Sequence, residues 1–331
     1  MDKRALLRLC SATLLLQCAT PRAALAQTSA RLPTVGILQV WAESDFADRL
    51  AAFKSGLGEL GHVEGQNIRF ELRSAQGRVS DLGRLAQELV DLKVDAIFAA
   101  TTAAAVAAQG RTREIPIVLA VAADPVGTGL AASLARPGGN VTGMTSNNVE
   151  IAPKRLQLLR DVAGGSATRA AVLYASNDPS NLLAVRLSQD AARRMNIELR
   201  AYGLSKADEL TGAFAAMRTD GIEMLLVAAG ALADSNPRTI AGLAAQHRLP
   251  AIYGAPEFVD AGGLMSYSTD FVENFRAAAS FVDKILRGAR PADLPIQQSS
   301  KYLLVFNARA AQALGLNVPA PLRLQIDRIV Q

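Results

Sequence analysis

Cysteine is nearly absent from this chain: Cys10 and Cys18 are the only two, both close to the N-terminus. Past them no disulfide, thiolate nucleophile or cysteine-based metal site can form. Histidine is equally scarce, with His62 and His247 alone, so an imidazole base has only two candidates. Aromatic residues make up 5% of the chain, and Trp41 is the single tryptophan. No apolar run reaches the roughly 20 residues that span a bilayer. The 35 basic and 30 acidic side chains are scattered, which argues against a nucleic-acid stripe and against metal-ligand spacing. No G-x-x-x-x-G-K-[ST] loop occurs. Gly127, Gly129 and Ala132 imitate a dinucleotide turn, but Asp124 and Pro125 stand between the strand and the glycines. No cofactor or metal is expected.

What the N-terminus does contain is an export pattern. Lys3, Arg4 and Arg8 precede a short apolar stretch over residues 6–16, and Ala24-Leu25-Ala26 offers a small-x-small cleavage site. Cys18 allows a second route, cleavage and acylation as a lipoprotein, but Gln17 is a poor small residue before it. Removing residues 1–26 as a signal peptide takes away Lys3, Arg4, Arg8 and Arg22 against Asp2, lowering the net charge of +5 by three, to +2. The chain is expected in the periplasm.

The remaining chain, about 300 residues long, suits two domains. It alternates short apolar runs with amphipathic stretches, the rhythm of βαβ units. Strands are expected at 34–40 (TVGILQV), 67–73, 94–100 (VDAIFAA), 115–122 (IPIVLAVA) and 140–144, with helices at 46–60, 82–92 and 101–111. The order then repeats. Residues 169–174 (RAAVLY) match the first strand, 222–228 (IEMLLVA) match VDAIFAA, and 249–253 (LPAIY) match IPIVL. Residues 197–202 and 263–267 complete the second set, with helices at 181–195, 207–219 and 237–247. Such internal repetition points to two similar α/β lobes with parallel sheets. The tail, a helix at 271–287, a strand at 302–306 and a last helix, returns to the first lobe and then the second. The lobes so defined span 33–145 plus 269–298, and 146–268 plus 299–331.

Ligands of such sheets bind beyond the carboxyl ends of the strands. The first lobe's strand ends present Trp41, Ser44, Thr101, Thr102, Asp124, Thr145 and Ser146. The second lobe's present Ser176, Asn177, Gly230, Glu257 and Tyr267. Thr101 and Thr102 either hold an anionic group at a helix N-terminus or simply cap it. Asp124 either faces a ligand or caps the following turn. Trp41 either stacks on a planar ligand or packs under a loop; Tyr253 and Tyr267 offer further rings, or core. His62 and His247 enter strands from the opposite edge, as solvent-exposed loop residues, so neither serves a serine in the cleft.

Residues 124–143 (DPVGTGLAASLARPGGNVTG) resemble a signature of the ABC transporter substrate-binding proteins, in the family that includes tryptophan- and tyrosine-binding members. Residues 171–181 (AVLYASNDPSN), 247–267 (HRLPAIYGAPEFVDAGGLMSY), 284–297 (KILRGARPADLPIQ) and 307–319 (NARAAQALGLNVP) resemble it too. The resemblance implies a type I periplasmic-binding-protein fold, two Rossmann-like lobes joined by a three-crossover hinge. It implies a monomeric, non-enzymatic receptor that binds a small molecule and delivers it to an ABC permease with its ATPase. The expected ligand is an aromatic amino acid or aromatic acid; a branched-chain or aliphatic amino acid is the alternative, and a ligand-sensing protein or hydrolase of similar fold the rival function. Two positions depart from the family. Ser268 stands where a glycine is common, and Gly230-Ala231 stand where many members carry an acidic or amide pair, with 234–236 (DSN) following.

Mass spectrometry of a periplasmic fraction tests the leader directly. The expected N-terminal residue is Gln27; an acylated Cys18 in its place overturns the soluble form.

Overall fold

The computed structural model describes residues 31–331, apart from the side chains of Ser44 and Asp45. The leader read at residues 1–26, with Cys10 and Cys18, lies outside the described residues. Among those described, no helix is long and apolar enough to cross a membrane.

The first lobe opens with β1 (Thr34–Gln39), α1 (Glu43–Glu59), β2 (Arg69–Ser74), α2 (Leu82–Asp91), β3 (Ala96–Ala99), α3 (Thr102–Gln109), β4 (Ile117–Ala122) and β5 (Val141–Thr145). The chain crosses to the second lobe through α4 (Ala152–Val162). There follow β6 (Arg169–Ala175), α5 (Pro179–Arg194), β7 (Glu198–Leu204), α6 (Leu210–Thr219), β8 (Met224–Val227), α7 (Ala231–Asp234), α8 (Pro237–Gln246), β9 (Ala251–Tyr253), α9 (Glu257–Asp260) and β10 (Met265–Thr269). It returns with α10 (Phe271–Leu286) and β11 (Gln297–Gln298), then crosses a third time into β12 (Tyr302–Asn307), α11 (Ala308–Leu314), α12 (Ala320–Arg323) and β13 (Arg328–Val330).

The sheets run β11-β5-β4-β3-β1-β2 and β13-β12-β10-β9-β8-β6-β7. Both contain the same doubly wound order, so the repetition in the sequence is a repetition of topology. Pairing is parallel except that β12 runs antiparallel to β10. Strand β1 is buried at every position, the continuous apolar run that a parallel strand covered on both faces needs. The helix α4 was not expected from the sequence. Pro153, Lys154, Arg155, Arg160 and Asp161 obscure its apolar stripe of Leu156, Leu159 and Val162.

The three crossings are tied to one another. Ser299 N donates to the Thr145 carbonyl (3.0 Å) and Asp270 N to the Lys301 carbonyl (3.0 Å). The Lys301 ammonium pairs with Asp270 at 2.7 Å. This hydrogen-bonded band is the hinge.

In the first lobe a line of rings forms the core. Phe53 stacks on Phe98 (3.9 Å), Phe98 meets Phe275 edge-on (5.4 Å), Phe275 meets Phe46 (5.6 Å), and Phe46 stacks beside Trp41 (6.0 Å). Helix α10 brings Phe275 and packs closely on α1. A Cβ at Gly56 would lie 2.6 Å from the Arg276 carbonyl oxygen, so glycine is what permits the approach.

Phe98 is fully buried at the centre of the line. Phe98→Ala is expected to destabilise the protein by about 3–5 kcal/mol, read from urea unfolding; a cost under about 1 kcal/mol would remove the ring line from the core.

Candidate functional site

The carboxyl ends of β1, β3 and β4 in the first lobe face those of β6 and β8 in the second. Between them lies a cavity of about 550 Å³. This is where the strand order reverses in each sheet, the crevice expected to hold a ligand. The first lobe contributes Trp41, Thr101, Thr102, Val106, Ala123 and Phe271; the second contributes Asn177, Asp178, Ser180, Gly230, Asp234, Ser235 and Asn236.

Five of the expected residues meet here: Trp41, Thr101, Thr102, Asn177 and Gly230. Trp41 is 8% exposed, and the guanidinium carbon of Arg49 lies 4.5 Å from its ring centre. Thr101 caps α3, its hydroxyl accepting from Ala104 N at 3.2 Å. The Thr102 hydroxyl accepts from Ala123 N at 2.9 Å. Each hydroxyl therefore spends a lone pair on the fold and keeps its own O–H as a donor.

The others lie elsewhere. Ser44 begins α1, but its side chain is outside the described residues. Asp124 caps its turn, accepting from Gly127 N at 2.8 Å. Thr145 and Ser146 are buried in the hinge, with both hydroxyls directed at the Ala122 carbonyl. Ser176 donates to the Leu204 carbonyl at 3.1 Å, on a shallow surface depression outside the cavity. Glu257 forms an ion pair with Arg49 across the lobes. Tyr267 stacks on Tyr302 (5.8 Å) in the second lobe. Tyr253 is fully buried against Phe258 (4.7 Å), so of the three rings only Trp41 reaches the cavity. The strand-end rule fails for these residues because side chains alternate faces and because the last strands feed the hinge.

The histidines lie away from the cavity, but neither is an open loop residue. His62 Nε2 sits 2.8 Å from Asp283 Oδ1 and is 15% exposed. The His247 ring lies 5.8 Å from that of Phe214.

The structure adds Asn148, Asp178 and Asp234–Asn236 to the cavity wall. Asp178 caps α5, its Oδ1 accepting from Ser180 N (2.9 Å) and Ser180 Oγ (2.7 Å). Asn181 ties that cap to the Ala229 carbonyl at 2.8 Å. One turn of helix, α7, carries Asp234 from the strand end into the cavity. Gly230 and Asp234, at the two ends of that turn, both line the cavity. Ser268, the other departure, is buried in β10 and does not line the cavity.

Asp234 Oδ1 and Ser235 Oγ are shielded from solvent and make no hydrogen bond among the described residues. Burial pushes the Asp234 carboxyl up to about 7, against the opposing pull of Arg49 and the Gly230 backbone. Arg155 lies behind, fully buried, donating to the Tyr267 carbonyl (2.6 Å) and the Asn148 carbonyl (3.0 Å). Burial lowers it to about 10, partly offset by Asp234.

A carboxyl whose folded value is raised binds protons more tightly when folded. Its contribution to stability is present in acid and is lost as pH rises through about 7. Asp234→Asn is therefore expected to raise the melting temperature of the ligand-free protein at pH 8 and leave it nearly unchanged at pH 4. An equal shift at both pH values would contradict a buried, ionising Asp234.

The model of the family described as "ABC transporter substrate binding protein" matches residues 34–328. A tyrosine-binding protein of Clostridioides difficile (strain R20291) is 27% identical over 288 residues, 87% of this chain and 82% of the relative. Among solved structures, an ABC domain in complex with L-Trp from Streptococcus pneumonia superimposes with a TM-score of 0.83 at 22% identity, covering 90% of this chain and all of that one. A ligand-free, open substrate-binding protein with adhesive properties from Clostridium difficile gives 0.67 at 24% identity, covering 91% and 99%. With the two doubly wound sheets, the three crossings and a match over nearly all the described residues, the chain belongs to the family of ABC transporter substrate-binding proteins.

Proposed function

We propose that this chain is the periplasmic receptor of an ABC-type importer, exported by the signal peptide at residues 1–26. It binds an aromatic L-amino acid between its lobes, 33–145 plus 269–298 and 146–268 plus 299–331, and presents it to a permease. The observation that carries this reading is the polarity of the cavity. Thr101 and Thr102 stand at one wall, with hydroxyl protons and the N-terminus of α3 turned to a ligand carboxylate. Asp234 stands on the facing lobe, its residue lining the cavity, as the anionic partner for an ammonium group. Trp41, Phe271 and Val106 supply apolar wall between them, suited to a ring. The tyrosine-binding relative and the tryptophan complex support the same class of ligand. Because the imidazoles lie outside the cavity, it lacks the histidine base that activates a hydrolytic serine.

Calorimetry against L-tyrosine, L-tryptophan, L-phenylalanine and L-leucine tests the ligand class. An aromatic amino acid is expected to bind most tightly, in the micromolar range or better, a free energy near about −8 kcal/mol. Thr101→Val removes both the cap and the donor, so it is expected to lose about tenfold in affinity and about 1 kcal/mol in stability; Thr101→Ser is expected to retain both. Asp234→Asn is expected to weaken the amino acid at least tenfold while sparing the des-amino acid. Preference for leucine, or equal loss with the des-amino ligand, would overturn the assignment, as would turnover of ester or amide substrates.

A further inference from the structure

We infer that Arg49 couples the ligand cavity to the closure of the lobes, as a latch completed by Glu257; the ligand half of this inference rests on the binding reading above. Arg49 leaves α1 of the first lobe and is 5% exposed. Its guanidinium carbon lies 4.5 Å from the Trp41 ring centre and 5.1 Å from that of Phe271. Both rings line the cavity, so the cation is held against the surface a ligand covers. The ring contacts lie within the first lobe and persist when the lobes part. The ion pair does not: Glu257 belongs to α9 of the second lobe. Closure thus brings a carboxylate to a cation already seated on aromatic faces.

Burial decides how much this pair contributes. Exposed ion pairs contribute little, because water screens them and two long side chains lose freedom. Here the arginine side chain is 6% exposed and the glutamate side chain 30%, so one half is sealed and the other yields to water as the lobes separate. A ligand against Trp41 and Phe271 replaces water behind the two rings that hold the guanidinium, lowers the local dielectric and strengthens the pair. Occupancy and closure then favour each other, as linkage requires. Glu257, expected from its strand end to touch a ligand, acts on the ligand through Arg49 instead; both are positioning residues.

Beyond Cys18 the chain has no cysteine, so in protein expressed from Gln27 spin labels at Ser80→Cys and Lys206→Cys, exposed positions on the two lobes, report their separation. Arg49→Met and Glu257→Gln are each expected to lengthen that distance, without ligand and with L-tyrosine, and to weaken L-tyrosine about tenfold at unchanged melting temperature. The double variant is expected to be no weaker than Arg49→Met alone, because with Arg49 gone Glu257→Gln has no pair left to break. Distances unchanged in both variants, or fully additive losses, would overturn the latch. If the wild type binds none of the amino acids tested, the ligand reading fails by itself, and the ligand-free distances still decide whether the latch exists.

Discussion

Trp41 holds its place at the cavity because a line of rings stands behind it. Each contact from Phe53 through Phe98, Phe275 and Phe46 contributes about 0.5–1.5 kcal/mol beyond burial of its area. Phe275 stands on α10, which the chain reaches only after crossing to the second lobe and returning, so a segment late in the sequence completes the ring line of the first lobe. Gly56 allows that helix to approach α1, the helix that carries Arg49. Core packing, the aromatic wall and the interlobe cation are therefore one continuous piece of structure.

The two lobes share a topology and divide the chemistry. The first offers a ring, hydroxyl donors and a helix N-terminus. The second offers carboxylates, with Asp178 committed to its cap and Asp234 left with an unbonded oxygen. Asp234 is costly to bury as an ion, and that burial pushes its carboxyl up to about 7.

The doubled α/β rhythm was readable from apolar periodicity, since buried parallel strands leave short runs such as TVGILQ and IVLAVA between amphipathic stretches. The same runs, with the tail that follows Tyr267, placed the three crossings. Helix α4 escaped because its charged face and Pro153 break the apolar stripe, although Arg155 on that face proves to be fully buried through its bonds to Asn148 and Tyr267. Strand ends supplied Trp41, Thr101, Thr102, Asn177 and Gly230, because those four loops, after β1, β3, β6 and β8, flank the point where strand order reverses.

Most of the element order and the pairing of the two repeats were thus determined by the sequence itself, through patterns that are local and periodic, and the family was legible as a resemblance of longer segments. Which side chains share the cavity was decided only in three dimensions. Tyr253 and Tyr267 look equivalent to Trp41 along the chain, yet their strands turn them into the second lobe. Thr145 and Ser146 end a strand as Thr101 does, yet the hinge claims their hydroxyls. Asp234 reaches the cavity through one helical turn, and Glu257 meets Arg49 from 208 positions away. Contacts of that span follow from how two sheets face one another, a relation that no local spacing encodes.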